Sequence, residues 1–141
     1  MIDNKLVLKT NMIWMCKIKK ILVVEDEANV RKFVKINLTS RGYQVLEAEN
    51  GKEALIHLHN EKPELMILDI KLPDLTGWDI LDSIASDPTL TADFPVLVMT
   101  ASLGDANVDL RPYPSIVEIM IKPFKTEKLI STIQRILGPR Q

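Results

Sequence analysis

Five polar residues stand where short apolar runs of this sequence stop. Ile21-Leu22-Val23-Val24 stops at Glu25-Asp26, Leu65-Met66-Ile67-Leu68 at Asp69, Val96-Leu97-Val98-Met99 at Thr100, and Ile116 to Ile121 at Lys122. A single carboxylate at such a place would merely be solvated by its loop. Several gathered at the ends of buried strands are costly unless positive charge neutralises them. Oxygen-only ligands at a solvent-accessible site suit a hard, partly hydrated divalent cation, and Mg2+ is the best match to Glu25, Asp26 and Asp69. An Asp is also a competent nucleophile toward phosphorus, because its acyl phosphate splits one transfer into two steps. The Thr100 hydroxyl and the Lys122 ammonium can balance charge on the oxygens of a transferred phosphoryl group.

These residues work together only if the fold aligns the ends of the runs. The continuous apolar, β-branched character of Ile21 to Val24, Leu65 to Leu68 and Val96 to Met99 predicts strands buried on both faces. Tyr43 to Ala48 and Ile116 to Ile121 complete a set of five. Between them, Val30, Phe33, Val34 and Leu38 form one helical stripe, with Gly42 placed for a left-handed stop. Asn50-Gly51 opens a helix carrying Ala54, Leu55 and Leu58, which Pro63 terminates. A third helix is predicted with Trp78, Leu81, Ile84 and Ala85 inward, and a last one with Leu129, Ile130, Ile133, Ile136 and Leu137 inward. Pro112 and Pro114 forbid a long helix between Ala101 and Ser115, so the fourth helix is expected to be short or irregular. Strands alternating with helices imply an α/β domain, a doubly wound five-stranded parallel sheet with helices on both faces. Ligands of such sheets bind beyond the carboxyl ends of the strands, where the five polar residues lie. Glu25, Asp26 and Asp69 converge if strands one and three are neighbours.

In this order, ILVVEDE at 21–27, Leu65 to Asp69 followed by Leu72-Pro73 and Gly77, Val98-Met99-Thr100-Ala101, and Ile121-Lys122-Pro123-Phe124 resemble the four signatures of the response-regulator receiver domain of two-component signalling. The separations, 43 residues from Asp26 to Asp69 and 22 from Thr100 to Lys122, are similar to that family's. The resemblance covers roughly Lys17 to Leu137 and implies a flavodoxin-like fold of the single-domain, chemotaxis-regulator type.

It implies Asp69 as phosphoacceptor, with Mg2+ held by Asp26 directly, by Glu25 through water and by the backbone carbonyl of Lys71. It implies that Thr100 bonds the phosphoryl group, that Ala101 leaves its approach open and that Lys122 pairs with a phosphoryl oxygen. The Lys-Pro bond at 122–123 is expected to be cis, aiming the lysine into the pocket. The donor would be a phosphohistidine on a sensor histidine kinase or histidine phosphotransfer protein, and the domain would catalyse its own phosphorylation and dephosphorylation without being a classical enzyme. Two departures from the family pattern stand out. Ile119 occupies the position, three before the lysine, where the family usually has a Tyr or Phe that swings inward. Asp105 to Ser115 is proline-bearing, which would reshape the face many receivers use to dimerise or to dock effectors, so a homodimer is compatible with the reading.

Composition sets the frame. The 141 residues fit one domain, expected as an extension 1–16, a receiver 17–138 and a tail 139–141. The first sixteen residues carry no periodicity and are expected either to be a poorly ordered extension or to precede the true start, for which Met15 is favoured. The four residues after Leu137 are too few for an output domain, so the protein is expected to stand alone and to act through an unknown downstream protein. With 18 Lys+Arg against 19 Asp+Glu, nothing in the bulk charge argues for a nucleic-acid or membrane partner. No run reaches the roughly 18 to 20 apolar residues of a membrane span. A single Cys16 and two histidines exclude a Cys/His zinc cage and fit a cytoplasmic location. Two other classes compete with the leading one. One is a receiver-like interaction module that is not phosphorylated. The other is a Mg-dependent phosphohydrolase of the haloacid-dehalogenase type, which normally needs a second Asp two residues after the nucleophile, where this sequence has Lys71.

Overall fold

The computed structural model describes residues 18–90, 94–102, 104 and 107–138; the expected extension 1–16 and tail 139–141 lie outside them. Among the described residues the chain runs β1 (Lys20–Val24), α1 (Ala28–Thr39), β2 (Gln44–Ala48), α2 (Gly51–Asn60), β3 (Leu65–Asp69), α3 (Gly77–Ser86), β4 (Val96–Thr100), β5 (Ile116–Ile121) and α4 (Thr126–Leu137). The five strands are parallel in the order β2-β1-β3-β4-β5. The chain steps outward from β1 to β2 and then back across to β3, so the winding reverses between β1 and β3. That reversal opens a crevice at their carboxyl ends.

The apolar runs are continuous because alternate residues enter different cores. Ile21, Val23, Leu65, Ile67, Leu97 and Met99 pack with Val34 and Leu38 of α1 and Leu129, Ile130 and Ile133 of α4. Leu22, Val24, Met66, Leu68, Val96 and Val98 pack with Ala54 and Leu58 of α2 and Ile80, Leu81 and Ile84 of α3. Each such side chain, fully buried, contributes about 1.5–3 kcal/mol relative to exposure.

Several local expectations are refined. Tyr43 is buried in the first core but precedes the β2 ladder. Gly42 has φ 84°, and its N–H and that of Tyr43 bond back to Thr39 and Leu38 at 3.0 and 3.2 Å, closing α1. The inward face of α3 is Gly77, Ile80, Leu81 and Ile84, whereas Trp78 is half-buried and Ala85 exposed. A capping box sets that phase: Thr76 and Asp79 exchange bonds of 3.1 and 3.0 Å, starting the helix so that Gly77 faces the sheet. The expected short or irregular fourth helix falls partly outside the described residues; 107–115 form no helix and are closed by turns from Tyr113 to Leu110 and Ile116 to Tyr113. The β4–β5 register slips by one residue after Val96, leaving Val117 exposed.

Candidate functional site

The strand ends lie level. Val24 is opposite Leu68, Asp69 opposite Met99, and Thr100 opposite Ile121, so the residues that follow each run share one rim of the sheet. One oxygen from each of Glu25, Asp26 and Asp69 lies within 4.8 Å of the others. Glu25 and Asp69 are buried and Asp26 is exposed. Lys122 crosses from β5 to join them, its Nζ 2.6 Å from Glu25 Oε1 and 2.9 Å from Asp69 Oδ2. The Lys122–Pro123 peptide bond is cis. Thr100 is buried on β4, and its Oγ1 accepts from the Ser102 N–H at 3.2 Å. Lys71 is exposed, and its N–H donates to Asp69 Oδ1 at 3.1 Å.

The charges are unequally shared. Burial and the adjoining Asp69 carboxylate push Glu25 up to about 8, against the pull of Lys122. Burial also acts upward on Asp69, but its interactions with the Glu25 carboxyl, the Lys122 ammonium and the Lys71 N–H outweigh it and hold the group below its ordinary value. Lys122 is desolvated too, yet its two carboxylate partners raise it. Asp69 is therefore the ionised carboxylate of the buried pair at neutral pH, the form that attacks an electrophile.

The loop after Asp69 is folded back on itself. Gly77 N–H donates to Ile70 O at 2.8 Å, and Lys71 and Thr76 form an antiparallel bridge. A Cβ on Gly77 would meet Ile70 Cδ1 at 2.9 Å, Asp69 O at 3.0 Å and Ile70 Cα at 3.1 Å, so a side chain here would press on the end of β3. Asp74 ties the loop to the start of α2, accepting from the Gly51 and Lys52 N–H groups at 2.8 and 3.0 Å. The bond from Gly51 is the chief reason its carboxyl is held low.

The donor atoms themselves test the fit of a metal. All three side chains offer oxygen, the set a hard divalent cation prefers. Glu25 Oε2 is buried and makes no hydrogen bond to a conventional donor among the described residues, and its carboxyl lies against Asp69, which leaves an oxygen to offer a cation once the Glu25 proton is gone. The residues fit such an ion.

Residues 21–134 match the family described as the response regulator receiver domain. The chain belongs to this family. Receivers of similar structure include a CheY-like receiver domain protein from Methanospirillum hungatei JF-1 (27% identity, TM-score 0.72, covering 85% of this chain and 94% of that one). Another is the response regulator TrrA from Thermotoga maritima, solved in complex with Mg(2+)-BeF (30% identity, TM-score 0.68, covering 84% and 99%). Among curated relatives, the alkaline phosphatase synthesis transcriptional regulatory protein PhoP of Bacillus subtilis (strain 168) is 34% identical over 119 residues, 84% of this chain and 48% of the relative. The chain spans about half the length of the curated relatives it matches. The family is a phosphoacceptor signalling module, and no described helix is long and apolar enough to cross a membrane.

Two residues of this receiver's rim escaped the sequence reading. Arg31 in the first turn of α1 reaches the backbone of Glu25, and Asp74 clamps the loop to α2. Arg31 carries a signal in hindsight, since a cation in the first turn of a helix opposes the helix dipole and needs a separate reason to be there. Asp74 had none, because its partners are 22 and 23 residues away. Ile119 is half-buried, lies opposite Val98 and packs in the second core with Tyr113 and Ile116. Of the two histidines, His57 Nε2 lies 2.8 Å from Glu47 O and His59 Nε2 3.5 Å from Asp87 Oδ2.

Proposed function

We propose that this receiver, spanning 17–138, takes a phosphoryl group onto Asp69 from a phosphohistidine on a sensor kinase or phosphotransfer protein and then signals in the cytoplasm through altered protein contacts. The observation that carries the reading is the placing of the Asp69 carboxyl against the Lys122 Nζ, 2.9 Å away, at the point where the sheet reverses its winding. An Asp69 carboxylate oxygen forms the new O–P bond while the P–N bond of the donor breaks and its electron pair leaves with the imidazole. Lys122, released from carboxylate oxygens, pairs with the charge arriving on the phosphoryl oxygens. The Thr100 hydroxyl bonds that group and reports its arrival, and exposed Ala101 keeps the approach clear. Glu25, Asp26, Asp69 and the Lys71 carbonyl would hold Mg2+, which when bound supplies neutralising charge to the transferred group.

Phosphorylation then biases an inactive/active equilibrium. Ile119, shorter than an aromatic ring, gives that equilibrium a different inward partner from the family's usual one. Incubation with Mg2+ and acetyl phosphate, read by intact mass, separates the readings. A one-phosphate adduct supports the phosphoacceptor. No adduct and no beryllofluoride-induced spectral change would leave an interaction module, and sustained turnover of unrelated phosphate esters would make it a hydrolase. The mass of the native protein tests the stand-alone expectation: a mass for residues 15–141 or 1–141 upholds it, and one about twice as large overturns it.

A further inference from the structure

The Arg31 guanidinium bridges the ends of two strands. Nη1 donates to Glu25 O at 2.8 Å and lies 3.5 Å from Asp26 O. Nε lies 3.4 Å from Glu47 Oε1 and Nη2 3.8 Å from Glu49 Oε2, at the end of β2. The side chain is only 16% exposed. Glu25 N–H is bonded in turn to Ala48 O at 3.0 Å, so the backbone of Glu25 is held to β2 at its N–H and through Arg31 at its carbonyl. Asp26 lies beyond both strand and helix, and no hydrogen bond among the described residues reaches its carboxylate. Its place depends on the backbone that Arg31 grips.

We propose that Arg31 is a positioning residue of the cation pocket, fixing the Glu25–Asp26 backbone so that both carboxylates converge with Asp69. This rests on the reading of the pocket as a Mg2+ site. Placement and simple charge predict opposite signs. If Arg31 acted only as a nearby positive charge, removing it would strengthen cation binding. If it orients the ligands, removing it weakens binding, by about 10-fold or more as for other groups that orient metal ligands. Lysine keeps the charge but lacks the planar fork that reaches the carbonyl and the two glutamates together.

Mg2+ dissociation constants from calorimetry on the full chain decide it, with Arg31→Met, Arg31→Lys and Lys35→Met compared with the unsubstituted protein. Lys35 shares Glu47 at 2.9 Å and touches neither carbonyl, so Lys35→Met removes the same charge one turn away. Both Arg31 variants are expected to bind Mg2+ about 10-fold or more weakly, Lys35→Met as tightly as before or tighter, and saturating Mg2+ to restore the phosphorylation rate of the Arg31 variants. Hydrogen exchange without metal is expected to quicken at the Glu25 amide, which is bonded to Ala48 O, in the Arg31 variants. Unchanged or tighter binding in Arg31→Met, or a rate deficit persisting at saturation, overturns the proposal. If the unsubstituted protein binds no Mg2+, the reading of the pocket falls instead, and the exchange comparison still shows whether Arg31 holds that backbone. Should Arg31→Met fail to fold, Arg31→Lys carries each comparison.

Discussion

Burying Glu25 next to Asp69 makes the pocket's protonation, and with it the protein's stability, depend on pH. Glu25 moves from an ordinary 4.5 to about 8 in the folded protein. Between those values the folded state keeps a proton that the unfolded chain releases, so stability is greatest below the lower value and falls as pH rises toward the upper one. Asp69 acts the other way in acid, because its depressed value gives stability that is lost as pH falls through it. Melts in chelator from about pH 5 to about pH 8 are expected to show a falling melting temperature that Glu25→Gln flattens. A curve that rises, or a slope that Glu25→Gln leaves intact, would contradict the assignment. Because a cation replaces that proton, Mg2+ is expected to reduce the loss at high pH.

At the level of elements, the loop from Asp69 to α3 is held from three directions: the Gly77–Ile70 bond, the Lys71–Thr76 bridge and the Asp74 clamp on α2. Gly77→Ala puts a methyl against Asp69 O and Ile70, so the end of β3 must shift. The expected cost is about 1–3 kcal/mol of stability, with slower phosphorylation because the moved backbone belongs to Asp69, the proposed acceptor. Among the described residues Gly104→Ala meets nothing nearer than 3.5 Å and serves as the control in chemical denaturation; equal effects at both positions would refute the argument. The strands and the site residues at their ends were legible in the sequence because two-sided burial demands unbroken apolar runs, and the polar residue ending each run is conspicuous. The inward face of α3 was legible only in part: Leu81 and Ile84 are buried as expected, but Trp78 and Ala85 fit a helical stripe as well as Ile80 does until the capping box sets the phase. Arg31 and Asp74 were hidden for a related reason: their partners, Glu47 and Glu49 for one and Gly51 and Lys52 for the other, become neighbours only after the sheet has formed.

Across the whole molecule, a near-neutral total conceals a local excess of carboxylates. Eighteen basic and nineteen acidic residues almost cancel, yet three acidic groups meet beside one lysine where β1, β3 and β5 end. Two cores, one on each face of the sheet, hold those ends level, and this is how residues as distant in sequence as Glu25 and Lys122 come within 2.6 Å. On the proposed function, this assembly serves to phosphorylate Asp69 with the help of a divalent cation. Intact mass after acetyl phosphate treatment tests it most directly, with Mg2+ or chelator present and with Asp69→Asn in parallel. One phosphate added to the unsubstituted protein in Mg2+ alone, and none to Asp69→Asn, is the result predicted. An adduct that survives in Asp69→Asn, or forms equally well in chelator, would contradict it.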